Sequence, residues 1–229
     1  MPAAPDLTPS AENYLKVVWG LGEWSDEPVT AGLLAERLGL RVSTVSDGVR
    51  KLTERGLLDH APYGAIRLTD AGREVAVGMV RRHRVIETFL VEMLGYGWDE
   101  VHEEADVLEH AVSERLVERL HEVLGRPARD PHGDPIPSAA GTLDPPAAVL
   151  LADAAGPGPV TVVRVSDEDP ARLRDFAARG LVPGALVHVP GDAPDAGAGD
   201  EVRVLLGGPD GPPLALDRTA ARAVWVQPA

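Results

Sequence analysis

A dense run of proline and glycine between residues 125 and 159 restricts the fold of this chain more than any other feature. Proline lacks a backbone N–H, and both residue types are disfavoured inside helices and central strands. We therefore predict a linker at residues 143–159. Apolar residues before this run recur at helical spacing, whereas those after it occur in short β-branched stretches between Gly/Pro turns. The prediction is a mainly α chain with a β part, in the α+β class.

The C-terminal part contains four strand-like stretches, VTVVRVS, ALVHVP, EVRVLLG and AVWVQ. Their spacing predicts a small antiparallel barrel within residues 160–229. Between the first two stretches, a segment opens with Pro170 and closes on Gly180. This pattern predicts a short helix at residues 170–180.

The first 72 residues predict a winged helix-turn-helix. Ser10 is a suitable cap for a first helix, and a second helix runs from Thr30 to Gly39. A third helix follows at once, and two strand-like runs around Tyr63 and Gly64 match a β-hairpin wing. In this fold the last helix of the pair enters the major groove of DNA.

The third helix carries short hydroxyl side chains and basic residues on its polar sides. Hydroxyl groups can read base edges at close approach, and Arg and Lys bind phosphate. Residues 41–55 are locally positive, although the whole chain has a formal net charge of −14. A helix pair that packs for stability alone is the alternative. The candidate DNA-binding residues are Arg41, Ser43, Thr44, Ser46, Asp47, Arg50 and Lys51.

Two stretches, RRHRVIETFL and VHEEADVLEH, place imidazole and carboxylate groups at helical spacing. Residues four apart share one face of a helix, so we expect Asp106 to lie between His102 and His110. The chain has no cysteine, and nitrogen and oxygen donors suit Mn, Fe, Co or Zn. A solvated acidic helix with satisfied histidines is the alternative. The predicted ligands are His83, Glu87, His102, Asp106, Glu109 and His110.

Composition limits the class of protein. The apolar content of 44% and charged content of 25% are ordinary for a globular chain. No apolar run is long enough to cross a membrane, and the N-terminus lacks the pattern of a signal peptide. We expect a cytoplasmic protein with no membrane partner and no small-molecule substrate.

Five motifs keep a fixed order between about residue 7 and residue 138: SAENYLKVVWGL, STVSDGVRKLTERGLL, RRHRVIETFL, VHEEADVLEHAVSERL and DPHGDPIP. Together they resemble the diphtheria toxin repressor (DtxR) family of metal-activated transcriptional regulators, and they are most similar to its manganese-responsive (MntR) branch. The resemblance implies a winged helix-turn-helix domain at 1–72 and a helical metal-binding and dimerisation domain at 73–142. It also implies an SH3-like (FeoA-like) domain at 160–229.

The resemblance further implies two metal sites per chain. The regulatory site would use Asn13, Asp106, Glu109 and His110. The ancillary site would use His83, Glu87 and His102, completed by Asp169 or Glu168 of the third domain.

The implied function is a Mn(II)-dependent repressor that binds palindromic operator DNA as a homodimer. Asn13 and Asp106 are oxygen donors at positions where iron-type relatives have Met and Cys, which favours Mn(II) over Fe(II) or Co(II). An Fe(II)-dependent regulator of the same family is the alternative. A metallohydrolase with the same ligands is an alternative of another class, but it needs a base and a substrate cleft that the sequence does not indicate. We therefore expect no enzyme activity.

Overall fold

The computed structural model describes residues 7–61, 64–154, 156–191 and 201–229. These residues fall into two compact units. The first contains the chain up to His83 together with residues 109–114 and 137–142, and the second contains residues 84–108, 115–136 and the chain from residue 143 onward. Among the helices described, none is both long and apolar enough for a membrane crossing.

Three helices and a hairpin build most of the first unit. They are α1 (Pro9–Glu23), α2 (Ala31–Leu38), α3 (Val42–Glu54), β1 (Leu58–Asp59) and β2 (Arg67–Leu68). β1 pairs with β2 in antiparallel orientation, so the predicted wing is confirmed. Tyr63, in the predicted turn of this hairpin, lies outside the described residues.

The ends of the first two helices show how well local signals work. α2 begins at its predicted cap Thr30 and ends at Gly39, whose left-handed φ of 64° suits glycine. The predicted cap of α1, Ser10, was wrong, because Thr8 caps this helix. Pro9 follows Thr8 directly and fits the first helical position, where no backbone N–H is required.

α1 packs closely against α3. The ring of Tyr14 lies over Gly48, where an added Cβ atom would come within 2.7 Å of the ring atoms. The Tyr14 hydroxyl donates to the backbone carbonyl of Thr44 at 3.4 Å. Val45 and Val49 are buried on the same helix, α3. Because residue 48 has no side chain, α1 and α3 can interlock, and we expect α3 to follow any movement of α1.

The middle of the chain forms α4 (Asp70–Leu94), α5 (Val101–Leu108) and α6 (Glu114–Val123). The prediction that Glu109 and His110 continue the face of α5 was wrong, because the helix ends at Leu108 and both residues lie in the turn that follows. In this turn both side chains contact α1, which supplies them with polar partners.

The C-terminal part of the second unit is a six-stranded antiparallel sheet with the strand order β3-β8-β4-β5-β6-β7. The strands are β3 (Val149–Leu150), β4 (Gly158–Val165), β5 (Leu186–Val189), β6 (Glu201–Leu206), β7 (Pro213–Asp217) and β8 (Val224–Pro228). The predicted helix is confirmed as α7 (Pro170–Arg179), and a short α8 (Arg218–Ala221) precedes β8. Leu173 and Phe176 of α7 are buried in the core that the sheet forms.

The segment predicted as a linker, residues 143–159, is in part regular structure. β3 pairs with β8, a 3-10 turn follows at Leu151–Asp153, and β4 begins at Gly158. The Leu151 side chain is buried in the core of the sheet. Proline and glycine nearby do not prevent this, because β3 is short and lies at the edge of the sheet.

Candidate metal centre and DNA-binding surface

In the first unit, α1 faces His83 and the turn after α5. Residues three and four apart share a face of a helix, so α1 presents several polar side chains together. We call this group the regulatory cluster, and its members are Glu12, Asn13, Lys16, His83, Glu109 and His110.

His110 contacts α1 through both ring nitrogens. Its Nδ1 lies 2.7 Å from Oε2 of Glu12, and its Nε2 lies 2.8 Å from Oδ1 of Asn13. The family resemblance implied that Asn13 and His110 belong to one site, and the structure places these two side chains in direct contact. Asn13 directly precedes Tyr14, so this contact lies one residue from the α1–α3 packing.

Glu109 is a fully buried carboxylate whose charge is balanced by Lys16. Lys16 Nζ donates to Oε1 of Glu109 at 2.7 Å and to Oε2 at 2.9 Å. The same Nζ lies 3.3 Å from Nδ1 of His83, and this nitrogen lies 2.6 Å from Oε2 of Glu109. Burying a carboxylate without a cation is costly. The ammonium group therefore supplies positive charge among donors that also suit a metal ion.

Lys16 and Glu12 were not predicted from the sequence. A usable signal was present, because Glu12 and Lys16 are four residues apart and flank Asn13 on one face of α1. A search restricted to metal-type donors does not find a lysine, although a lysine can balance the same carboxylate.

In the second unit, Glu87, His102 and Asp167 form what we call the outer cluster. Each offers one ligand atom, and these atoms lie within 4.8 Å of one another. His102 Nδ1 lies 3.3 Å from Oε1 of Glu87 and 3.2 Å from Oδ2 of Asp167. Burial alone would lower the pKa of His102, but hydrogen bonds to Asp167 and Glu87 raise this pKa to about 11. A metal ion bound to His102 Nδ1 would take the place of this proton.

The carboxylate that contacts His102 is Asp167, which corrects the prediction of Asp169 or Glu168. Asp169 caps α7 instead, since its Oδ1 accepts from the backbone N–H groups of Ala171 and Arg172. Glu168 is exposed. Burial would raise the pKa of Asp167, but the hydrogen bond and the charge of His102 hold it well below its usual range.

The predicted ligands other than Asp169 and Glu168 are divided between the two units. Asn13, His83, Glu109 and His110 belong to the first, and Glu87, His102 and Asp106 to the second. Asp106 lies on α5 with 47% of its side chain exposed, and its Oδ2 is 3.8 Å from Nε2 of His102.

The candidate DNA-binding residues all lie on an exposed surface of α3 and its first turn. They are Arg41, Ser43, Thr44, Ser46, Asp47, Arg50 and Lys51. Arg50 pairs with Glu54 at 2.9 Å, and both side chains are more than half exposed. Exposed pairs of this kind contribute little stability, so a phosphate group can replace Glu54 as the partner of Arg50.

A winged helix whose first helix also carries metal-type donors defines a class of protein, the metal-responsive DNA-binding regulators. The comparisons with known proteins agree with this class. Residues 6–66 match the N-terminal DNA binding domain of iron dependent repressors, and residues 69–138 match their metal binding and dimerisation domain. Residues 149–228 match the FeoA domain.

The chain belongs to the diphtheria toxin repressor family of metal-dependent transcriptional repressors. It is 37% identical to the iron-dependent repressor IdeR of Mycobacterium leprae, over 80% of this chain and 85% of that protein. It is 34% identical to the diphtheria toxin repressor of Corynebacterium diphtheriae, over 74% of this chain and 72% of that protein. A solved manganese-dependent transcriptional repressor in complex with manganese is 49% identical, with a TM-score of 0.89, over 96% of this chain and 100% of that chain. Members of this family are DNA-binding regulators and not enzymes.

Proposed function

We propose that this chain is a Mn(II)-activated repressor that binds palindromic operator DNA as a homodimer and controls genes of metal homeostasis in the cytoplasm. The observation that carries the proposal is the contact between His110 and Asn13. Asn13 lies on α1, and the next residue of this helix, Tyr14, packs against the recognition helix α3. The metal-type donors and the DNA-reading helix are therefore connected through one residue of α1.

The donors fit a hard or borderline divalent ion. Both clusters contain only nitrogen and oxygen donors. Such a donor set suits Mn(II) better than a softer set that includes a thiolate or a thioether. The buried Glu109 is already paired with the Lys16 ammonium group, so a metal ion that binds Glu109 would share or take over this role of Lys16.

We assign Asn13, Glu109 and His110 to a regulatory site, and Glu87, His102 and Asp167 to an ancillary site, which gives two ions per chain. The roles of His83 and Asp106 stay predictions from the family resemblance. A bound divalent ion would supply the charge that these carboxylates share and would strengthen the tie between α1 and residues 109–110.

Residues of α1 connect the metal site to the DNA-binding helix α3. Glu12 and Asn13 hold His110, and Tyr14 holds Gly48 and Thr44 of α3. In a dimer, two recognition helices must be about one turn of DNA apart, so restricting the freedom of α1 favours the arrangement that fits a palindrome. Metal and operator then favour the same conformation, which is the condition for coupling between two binding sites.

The test is a gel shift on DNA from upstream of the gene for this chain, with Mn(II), Fe(II), Co(II), Zn(II) or a chelator in parallel. We expect a shift with Mn(II) that the chelator abolishes. His110→Ala should lose the metal-dependent shift, and Thr44→Ala should weaken DNA binding while metal affinity is retained. Equal DNA binding with Mn(II) and with chelator would contradict the proposal.

Fe(II) is a second candidate activator, because a relative that is 37% identical to this chain is named as an iron-dependent repressor. Fe(II) binds more tightly than Mn(II) in almost any such site, so affinity alone does not discriminate. The informative quantity is the ratio of the Mn(II) and Fe(II) concentrations needed for half-maximal operator binding under anaerobic conditions. The double variant Asn13→Met with Asp106→Cys should need more Mn(II) relative to Fe(II), so that this ratio rises at least about tenfold. An unchanged ratio would show that ligand softness does not select the metal.

A further inference from the structure

A third group of metal-type donors lies in the interior of the second unit. Glu87, Asp130 and His132 are all buried, and they offer ligand atoms within 4.8 Å of one another. We propose that these three residues form an inner site for a transition-metal ion, which shares Glu87 with the outer cluster.

His132 has the arrangement expected of a metal ligand. Its Nε2 lies 2.6 Å from the backbone oxygen of Trp98, and since a carbonyl can only accept, Nε2 carries the hydrogen. The neutral ring then has its lone pair on Nδ1. Within the described part of the chain, this fully buried Nδ1 has no hydrogen-bond partner. Metal-bound histidines commonly donate their other N–H to a backbone carbonyl in this way.

Two further contacts fix the direction of the His132 ring. It stacks on Trp98 with ring centroids 5.7 Å apart. Its Nδ1 faces Glu87, with 3.8 Å between Nδ1 and Oε2. An orphaned buried nitrogen is unfavourable, and a ligand on Nδ1 would relieve that cost.

Glu87 presents its two oxygens to two different histidines. Oε1 lies 3.3 Å from Nδ1 of His102, and Oε2 lies 3.8 Å from Nδ1 of His132. For metal–ligand bonds of about 2.1 Å, two ligands of one ion are separated by about 3.0 Å at right angles and by about 4.2 Å when opposite. The separation between Glu87 Oε2 and His132 Nδ1 falls in this range, so one ion can bind both atoms.

Asp130 is held rigidly beside His132. Its Oδ1 accepts from the backbone N–H groups of His132 and Asp134, both at 2.9 Å. Its Oδ2 lies 3.6 Å from Nε of Arg84, which is longer than a hydrogen bond. The turn therefore positions one carboxylate oxygen with its other oxygen already satisfied, as supporting hydrogen bonds do for metal ligands.

The charges of this region fit one divalent ion. When a metal ion has displaced the protons of the histidines and all carboxylates are ionised, four carboxylates face two guanidinium groups, which leaves an excess of two negative charges. These groups are Glu87, Asp130, Asp134, Asp167, Arg84 and Arg164. A donor set of one imidazole and two carboxylates suits Mn, Fe, Co or Zn better than Ca or Mg. The inner site is therefore best measured when the outer histidine, His102, has been removed.

The experiment compares metal uptake by two variants of the full chain, His102→Ala and His102→Ala with His132→Phe. Phenylalanine keeps the ring that stacks on Trp98 and removes Nδ1. Each variant is equilibrated with Mn(II) by dialysis, and metal per chain is measured by mass spectrometry. We expect the double variant to bind one ion fewer. A matched control, His102→Ala with His121→Phe, should bind as many ions as His102→Ala. Equal uptake with and without His132 would overturn the inner site.

A direct measurement decides the question if the double variant does not fold, which circular dichroism would show. Cd(II) labelled with ¹¹³Cd is added to His102→Ala that carries ¹⁵N-labelled histidine. Nuclear magnetic resonance should show coupling between the metal and Nδ1 of His132, and the absence of this coupling would overturn the proposal. Metal-dependent operator binding by the same variant reports on the regulatory site, so the proposed function can succeed or fail independently.

Discussion

Replacing Lys16 with methionine should destabilise the metal-free protein more than the metal-loaded protein. Lys16 Nζ makes two charge-assisted hydrogen bonds to Glu109, which is fully buried, while the Lys16 side chain is 15% exposed. Methionine keeps the apolar length of the side chain but leaves the buried carboxylate without this cation. Breaking a buried pair in this way costs about 3–5 kcal/mol. His83 Nδ1 remains 2.6 Å from Oε2 of Glu109 and still offers this carboxylate a hydrogen-bond partner, so we expect the lower end of this range.

A loss of about 3 kcal/mol lowers the melting temperature of a chain of this size by roughly 6–12 °C. Mn(II) at the regulatory site would replace the missing charge, so the difference in melting temperature should narrow when Mn(II) is saturating. Full recovery of about 3 kcal/mol corresponds to roughly 100-fold tighter metal binding by the variant.

The assay is thermal unfolding of the parent, Lys16→Met and Lys51→Met, each with chelator and with saturating Mn(II). Lys51 is exposed on α3, so Lys51→Met controls for the loss of a lysine without the loss of a buried pair. An equal loss of stability with chelator and with Mn(II) would refute the reasoning, and so would weaker Mn(II) binding by Lys16→Met.

Three further predictions address coupling, protonation and DNA contact. Gly48→Ala should be less stable than Gly78→Ala by roughly 1–3 kcal/mol and should bind the operator more weakly at saturating Mn(II). The reason is that a Cβ at Gly48 meets the Tyr14 ring at 2.7 Å, whereas one at Gly78 meets nothing within 4 Å. Equal thermal stability and operator affinity of the two variants would contradict the close packing of α1 on α3. The pKa of His102 is raised from 6.5 to about 11, so its stabilising contribution is complete below pH 6.5 and is lost as pH rises through about 11. A metal ion must displace this proton in neutral solution, so calorimetry in buffers of different ionisation enthalpy at pH 7.5 should show about one more proton released by the parent than by His102→Ala. Arg50→Ala should weaken binding to all DNA sequences alike and reduce the salt dependence of the affinity by about one ion, with Mn(II) affinity unchanged; a change in sequence preference instead would place Arg50 on a base edge.

Local signals in the sequence were sufficient for much of the fold. The caps Thr30 and Gly39, the spacing of Val45 and Val49, and the proline that opens α7 each act within one or two turns of chain. Such signals depend on backbone geometry, which neighbouring residues largely determine. The end of α5 did not follow from spacing, because the partners of Glu109 and His110 are supplied by α1, almost a hundred residues away.

The candidate ligands showed the same division between local and long-range signals. His83, Glu87 and His102 were predicted from their residue type and helical spacing. Asp167 was missed because the two residues after it are also acidic, and only the cap of α7 decides that Asp169 is engaged elsewhere.

The ligand His132 of the proposed inner site could not be inferred from its motif, DPHGDPIP. Its significance depends on a carbonyl from Trp98 and a carboxylate from Glu87, both more than thirty residues away in sequence. Residues that act through long-range contacts carry no periodic signal.

The most direct measurement of whether metal acts through α1 is a complete binding cycle for the parent and Asn13→Ala. Operator affinity is measured with and without Mn(II), and Mn(II) affinity with and without operator. In the parent, Mn(II) should raise operator affinity at least about tenfold, and the operator should raise Mn(II) affinity by the same factor. In Asn13→Ala, Glu109 and His110 should still bind Mn(II), but the factor should fall below about twofold at full metal occupancy, because the metal site has lost the ligand that we assign to α1. An unchanged factor in Asn13→Ala would contradict the claim that metal acts through α1.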